Sequence, residues 1–260
     1  KGPVMRVATY ERGRLRFWTD PFEINVSNEF HFFTPSDSVQ DVTLFAKYTL
    51  RADEVFQNRM IGGTFEGSND PDFREKEVLY LINEKPKRLQ TVVQSYSSKP
   101  YRYVRYVGPK DSHCNIAEVA FYAPNDAASL KGKVIGTPGC FQKDGSHEYT
   151  NVFDGDVTTS FDYIEPSGGW SGLDLGTPKQ IGRIVYTPRS YDNYIRSGDE
   201  YELFYCVNKT GWFSLGIQLS GSDSLVYRKV PANVMLLLKN YSRGRQERIF
   251  VYEDGKQRWK

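Results

Sequence analysis

Tyr101-Arg102-Tyr103-Val104-Arg105-Tyr106-Val107 runs through a polar turn into Ala117-Glu118-Val119-Ala120-Phe121-Tyr122, and the pattern returns at the end of the chain. There Val234-Met235-Leu236-Leu237-Leu238-Lys239-Asn240-Tyr241 passes through Ser242 to Gln246 into Glu247-Arg248-Ile249-Phe250-Val251-Tyr252. Ile61 to Gly67 precedes the first copy much as Ser197 to Leu203 precedes the second. A repeat of this length is too long for a solenoid unit and implies two related β-domains in tandem, each closing with a pair of strands. It points to a binding module rather than an enzyme.

The rest of the chain fits that class. Short β-runs are expected at Val4–Thr9, Arg14–Trp18, Glu29–Phe33, Val42–Tyr48, Val78–Ile82, Thr91–Tyr96 and Tyr101–Val107, so everything up to the end of the first copy reads as β. Pro124-Asn125-Asp126-Ala127-Ala128-Ser129 is small and polar and reads as a linker, which sets the domains at 1–125 and 126–260. Beyond it, strands are expected at Ile181–Tyr186, Tyr201–Cys206, Trp212–Gln218, Leu225–Val230 and the final pair. Short strands at this spacing, with turn residues between them, describe an all-β chain of two tandem β-sandwich domains. Trp212, after a glycine turn, is expected in the core.

Charged residues make up 25% of the 260 and hydrophobic residues 39%, a globular balance. A formal charge of +2 provides no field for general nucleic-acid binding. No apolar run is long enough for membrane insertion. Arg12, Arg14 and Arg16 alternate along a strand and read as a solvated face rather than a polyanion site. Cys114, Cys140 and Cys206 lack zinc-finger spacing; they allow a Cys114–Cys140 or Cys140–Cys206 bridge, or three buried thiols. Sequons stand at Asn25, Asn208 and Asn240 and matter only in a secretory setting. The opening Lys1-Gly2-Pro3-Val4 suggests a piece of a longer protein.

Asn151-Val152-Phe153-Asp154-Gly155-Asp156-Val157-Thr158-Thr159-Ser160-Phe161, then Gly169-Trp170-Ser171-Gly172-Leu173-Asp174-Leu175-Gly176, then Ile184-Val185-Tyr186-Thr187-Pro188-Arg189, resembles the discoidin family, the coagulation factor 5/8 C-type domain. The resemblance covers nearly all of residues 130 to 253 and, in the first copy, Gly62 to Tyr122. Residues 3 to 50 lack its motifs and form either a divergent discoidin domain or another β-domain. The resemblance implies a galactose-binding-like jelly roll. It also implies a non-catalytic carbohydrate-binding pair that holds a parent catalytic domain on polysaccharide or host glycan. Such modules occur at the C-terminal end of secreted Bacteroidetes glycan-active or transglutaminase-like proteins, so a secreted, periplasmic or cell-surface location follows from the resemblance. The alternative is a structural or protein-interaction module that orients a catalytic domain.

Asp154, Asp156 and the hydroxyl of Thr158 or Thr159 provide hard oxygen ligands of the kind calcium takes. The resemblance adds a glutamate from the closing strand, here Glu247, and makes the ion structural. The other reading is an Asp-Gly turn whose carboxylates satisfy backbone amides. Glu118 occupies the matching place in the first copy, where no Asp-rich loop precedes it, so no calcium is expected there.

For the ligand, Arg189, Tyr191, Asp192, Asn193, Tyr194 and Arg196 gather in one loop the aromatic faces and hydrogen-bonding groups that sugar rings need, with Phe161, Tyr163 and Trp170 completing a platform. Alternatively, Arg189 and Asp192 brace the loop while Tyr191 and Tyr194 cap the sandwich. No nucleophile elbow, P-loop or paired-carboxylate constellation can be assembled, and His113 and Cys114, read as strand neighbours, would face opposite ways.

Overall fold

The computed structural model describes residues 3–260 apart from Thr49, Leu50, Tyr96, Lys143, 208–210 and 244–246. The sequon at Asn208, the tail of the run expected to end at Tyr96 and the middle of the last turn therefore lie outside the described residues. The chain is nearly all β, as its periodicity requires, and it divides into two compact units: Lys1–Thr49 with Asn193–Lys260, and Leu50–Asp192.

The first segment of unit 1 carries β1 (Ala8–Glu11), β2 (Arg14–Phe17), β3 (Phe22–Ile24), β4 (Phe30–Phe32) and β5 (Val39–Leu44). Unit 2 carries α1 (Arg51–Asn58), β6 (Thr64–Ser68), β7 (Lys76–Leu81), β8 (Thr91–Gln94), β9 (Tyr101–Val107), β10 (Ile116–Tyr122), β11 (Lys133–Gly136), β12 (Trp170–Lys179) and β13 (Arg183–Pro188). The returning segment of unit 1 carries β14 (Glu200–Val207), β15 (Gly211–Leu219), β16 (Leu225–Pro231), β17 (Leu236–Asn240), β18 (Ile249–Glu253) and β19 (Lys256–Trp259).

Unit 2 is a sandwich of a five-stranded sheet, β11-β12-β9-β6-β7, and a three-stranded sheet, β10-β13-β8, antiparallel throughout. Phe65, Val104 and Tyr106 from the larger sheet and Phe121, Ile184 and Tyr186 from the smaller meet in one buried core. Each such large side chain contributes roughly 1.5–3 kcal/mol of burial. Gly172 is needed where β12 crosses β9, because a Cβ there would stand 2.2 Å from the Val104 carbonyl oxygen.

This pairing moves the domain boundary. The expected linker joins β10 to β11 inside unit 2, with Leu130 N–H donating to Phe121 O at 2.7 Å. β10 on one side of it is hydrogen-bonded to β13 on the other, and β9 to β12. A division after Asn125 would cut both sheets. The chain instead leaves unit 1 near Tyr48 and re-enters at Asn193, where Lys47 N–H donates to Asn193 O at 2.7 Å and Ala46 bridges Tyr194.

Unit 1 pairs a five-stranded sheet, β15-β14-β17-β18-β19, with the β5-β16 ribbon over a core that includes Val42, Leu44, Tyr201, Leu203, Leu236 and Phe250. The β1-β2 and β3-β4 hairpins complete it. Two expectations fail here. Arg12 has φ 48° in the β1-β2 turn, which leaves only Arg14 and Arg16 sharing a strand face. Trp212 lies on β15, an edge strand, and is 38% exposed, because no strand among the described residues pairs with that edge to bury it. α1 is a third departure, since everything up to the end of the first copy reads as β. Ala52, Val55 and Phe56 do fall at helical spacing, with Phe56 the buried anchor, but the helix is only 8 residues long and repeats the pattern too few times to stand out.

Candidate functional site

One end of unit 2 gathers the turn after α1, the β9-β10 loop, the segment before β12 and the segment after β13. Asn115 is buried, so both ends of its amide must be satisfied. Arg59 Nη1 donates to Asn115 Oδ1 at 2.8 Å, and Asn115 Nδ2 donates to Asp162 Oδ1 at 2.5 Å. Arg189 Nη1 closes the relay on Asp162 Oδ2 at 2.6 Å, with the Arg189 and Asp162 side chains only 15% and 13% exposed. The backbone holds Asp162 from both directions, through Phe141 N–H to Asp162 O and Asp162 N–H to His147 O.

Aromatic rings flank the relay. The Arg189 guanidinium lies 4.5 Å over the buried Phe56 ring, whose centroid is 5.7 Å from that of Tyr191. Tyr191 itself is 49% exposed. Backbone strain concentrates in the same loops: Asp111, His113, Cys114 and Asp192 all have positive φ, between 51° and 60°. Such conformations cost roughly 1–3 kcal/mol each and persist where the surroundings over-determine them. His113 and Cys114 thus sit in a turn and not on a strand. Burial pushes the Cys114 thiol up to about 12, and His113 Nδ1 is 3.0 Å from the Tyr163 carbonyl. All three cysteines are free and buried.

The residues expected to bind ligand are dispersed. Arg189, Tyr191 and Asp192 end unit 2, while Asn193, Tyr194 and Arg196 begin unit 1. Asn193 and Tyr194 are buried at 1% and 2% exposure and offer no face to a ligand, because this stretch is bonded into unit 1 beside β5. The Arg196 N–H donates to the Tyr201 hydroxyl at 2.9 Å. Phe161 is a core residue bridged to Ile116, with Tyr163 packed half-buried against it. Trp170 stands on β12 beside Phe73, with the Arg105 guanidinium against both rings and paired to the buried Glu66. Phe56, Arg59, Asn115 and Asp162 escaped the sequence reading. Asp162 lay between the two aromatics singled out there, and that proximity was the available signal.

The Asp154 loop follows a 3-10 turn over Tyr149–Phe153. Asp154 accepts from Asp156 N–H at 2.7 Å and from Thr159 Oγ1 at 2.8 Å, and Asp156 accepts from Thr158 N–H at 2.9 Å. These are the amide-satisfying bonds of an Asp-Gly turn. The glutamate that meets the loop is Glu118 of β10, which accepts from Gly155 N–H at 2.9 Å. Burial, reinforced by its hydrogen bond with Asp154, pushes the Glu118 carboxyl up to about 8. Both residues line a cavity of about 290 Å³. The expectation that Glu247 closes this loop is corrected: the glutamate bonded to it is Glu118 of β10, which no Asp-rich loop precedes but which this later one meets, while Glu247 is exposed and belongs to unit 1. Among the described residues, no group of three or more His, Cys, Asp or Glu side chains is placed to hold a metal ion.

Comparison with protein-family models, curated proteins and solved structures returned no match.

Proposed function

We propose that this chain is a non-catalytic glycan-binding module of a larger secreted protein, and that the end of unit 2 carries the sugar site. The observation that supports this is the half-exposed Tyr191 beside the Arg59–Asn115–Asp162–Arg189 relay. Sugar rings bind through an aromatic face for their C–H side and pre-oriented polar groups for their hydroxyls. A relay fixed by its own hydrogen bonds loses little side-chain entropy on binding. The discoidin-like motifs of residues 151–189 support the same reading.

A glycan-array screen of the chain tests it, followed by two substitutions whose effects should separate. Tyr191→Ala removes the exposed ring and should abolish binding with little change in stability. Tyr194→Ala hollows a buried position and should cost about 3–5 kcal/mol without a direct effect on affinity. Silence across a broad array with the chain folded, or binding untouched by Tyr191→Ala, would reject the sugar site.

A structural or protein-interaction role is the second reading, favoured by the burial of Phe161, Asn193 and Tyr194 and by the mutual satisfaction of Arg189 and Asp162. Under it, Tyr191 contacts another protein domain. Calcium belongs to either reading. We propose that Glu118 and Asp154 hold it, with Asp156 and Thr159 shaping the loop; a cation would let two neighbouring carboxylates ionise together.

A further inference from the structure

Between β7 and β8, unit 2 carries Glu84-Lys85-Pro86-Lys87-Arg88, in which Pro86 is buried along with the following Leu89. This anchored loop forms one wall of a cavity of about 330 Å³, within the size range of small-ligand sites. Lys85, Lys87 and Arg88 line it together with Tyr80, Thr91 and the buried Tyr186. Three basic residues and three hydroxyl-bearing ones therefore line one concavity, in a chain whose net charge is only +2. Glu84 is the carboxylate among the lining residues, and its pairing with Lys87 at 3.5 Å is between side chains about three-quarters exposed, which solvent weakens.

We propose that this cavity binds the sulfate ester of an acidic saccharide. Lys85 and Arg88 neutralise the anionic oxygens, and charge-assisted bonds of this kind are roughly twice as strong as neutral ones. The tyrosine and threonine hydroxyls serve the ring hydroxyls. The volume exceeds what a lone oxyanion fills and leaves room for the sugar ring that bears it. Nucleic acid suits the site less, since phosphate-backbone binding relies on an extended basic surface. The saccharide half of the inference rests on the glycan reading above; the anion half stands apart from it.

The test titrates the full chain with a sulfated heparin-derived tetrasaccharide, its desulfated counterpart, inorganic sulfate and a short DNA duplex, at low and at physiological ionic strength. The sulfated sugar should bind about tenfold tighter than the desulfated one and lose that advantage in Lys85→Ala/Arg88→Ala, while Glu84→Gln tightens it. Added salt should weaken it. Any neutral glycan found by the array should keep its affinity in Lys85→Ala/Arg88→Ala; a sulfated sugar bound with no neutral glycan bound at all would sink the Tyr191 site and leave this one. Equal affinity for sulfated and desulfated sugars, indifference to Lys85→Ala/Arg88→Ala, or inorganic sulfate or DNA binding as tightly as the saccharide would overturn the proposal.

Discussion

Asp162 is asked to do two jobs, since one carboxylate oxygen orients the Asn115 amide and the other anchors Arg189. Replacing it by asparagine removes the charge and leaves the guanidinium of Arg189, little exposed and stacked on Phe56, without its counter-ion. Stranding one member of a buried pair is costly, so Asp162→Asn should lower stability by about 3 kcal/mol in urea unfolding. Asp174→Asn, at the more exposed Arg102 pair, should change it little. Comparable small losses in both variants would mean that the relay is ornamental. Arg189 and Tyr191 were visible in the sequence because one loop concentrates the right residue types. Their partners were not. Asp162 lies 27 residues from Arg189, and residue type indicates what a side chain can bond to but not which distant group the fold delivers.

At the scale of elements, periodicity read the strands well: the run expected at Tyr101–Val107 is β9 to the residue, and that at Leu225–Val230 is β16 within one. It could not read the partner of each strand, and the Asp154 loop shows the consequence, with Glu118 of β10 where Glu247 was expected. That pairing makes a pH prediction. The Glu118 carboxyl, ordinarily near 4.5, titrates at about 8 in the folded chain. The folded state then holds a proton that the unfolded state has released, so the stability it contributes is complete below about 4.5 and is lost as pH rises through about 8. The thermal midpoint should fall over that window in the wild type and fall less in Glu118→Gln. Millimolar calcium should restore the wild type at the alkaline end, where Glu118 has lost its proton, and leave Glu118→Gln nearly unmoved. Identical pH profiles for the two proteins would remove Glu118 from the loop's energetics, and a wild type blind to calcium would remove the ion.

Over the whole molecule, the repeat and the folding units run out of phase. The two copies differ in their pairing, since β17 is hydrogen-bonded antiparallel to β18 whereas β9 and β10 lie in different sheets of unit 2, and each unit is assembled across the repeat boundary. Unit 2 builds its sheets from β6 to β10 and from β11 to β13 beyond the expected linker. Linear pattern favours neighbours along the chain, whereas sheets are closed by whichever strand completes the ladder and buries the core, and no local signal distinguishes β10-to-β13 pairing from a partner further on. The two divisions predict different fragments. Residues 50–192 contain every strand of both unit 2 sheets and the residues of that unit's core, so this fragment, expressed alone, should unfold in a single cooperative thermal transition with a β-rich circular dichroism spectrum. Residues 126–260 would lack β6, β7, β8, β9 and β10 of one unit and β1 to β5 of the other, stripping Phe65, Val104, Phe121, Val42 and Leu44 from the two cores. Losing that much buried surface exceeds the few kcal/mol by which domains are ordinarily stable, so this second fragment should not melt cooperatively. If 126–260 folded and 50–192 did not, the tandem division read from the repeat would be the correct one, and the sheet pairing that brings Glu118 to Asp154 and Asn115 to Asp162 would fall with it.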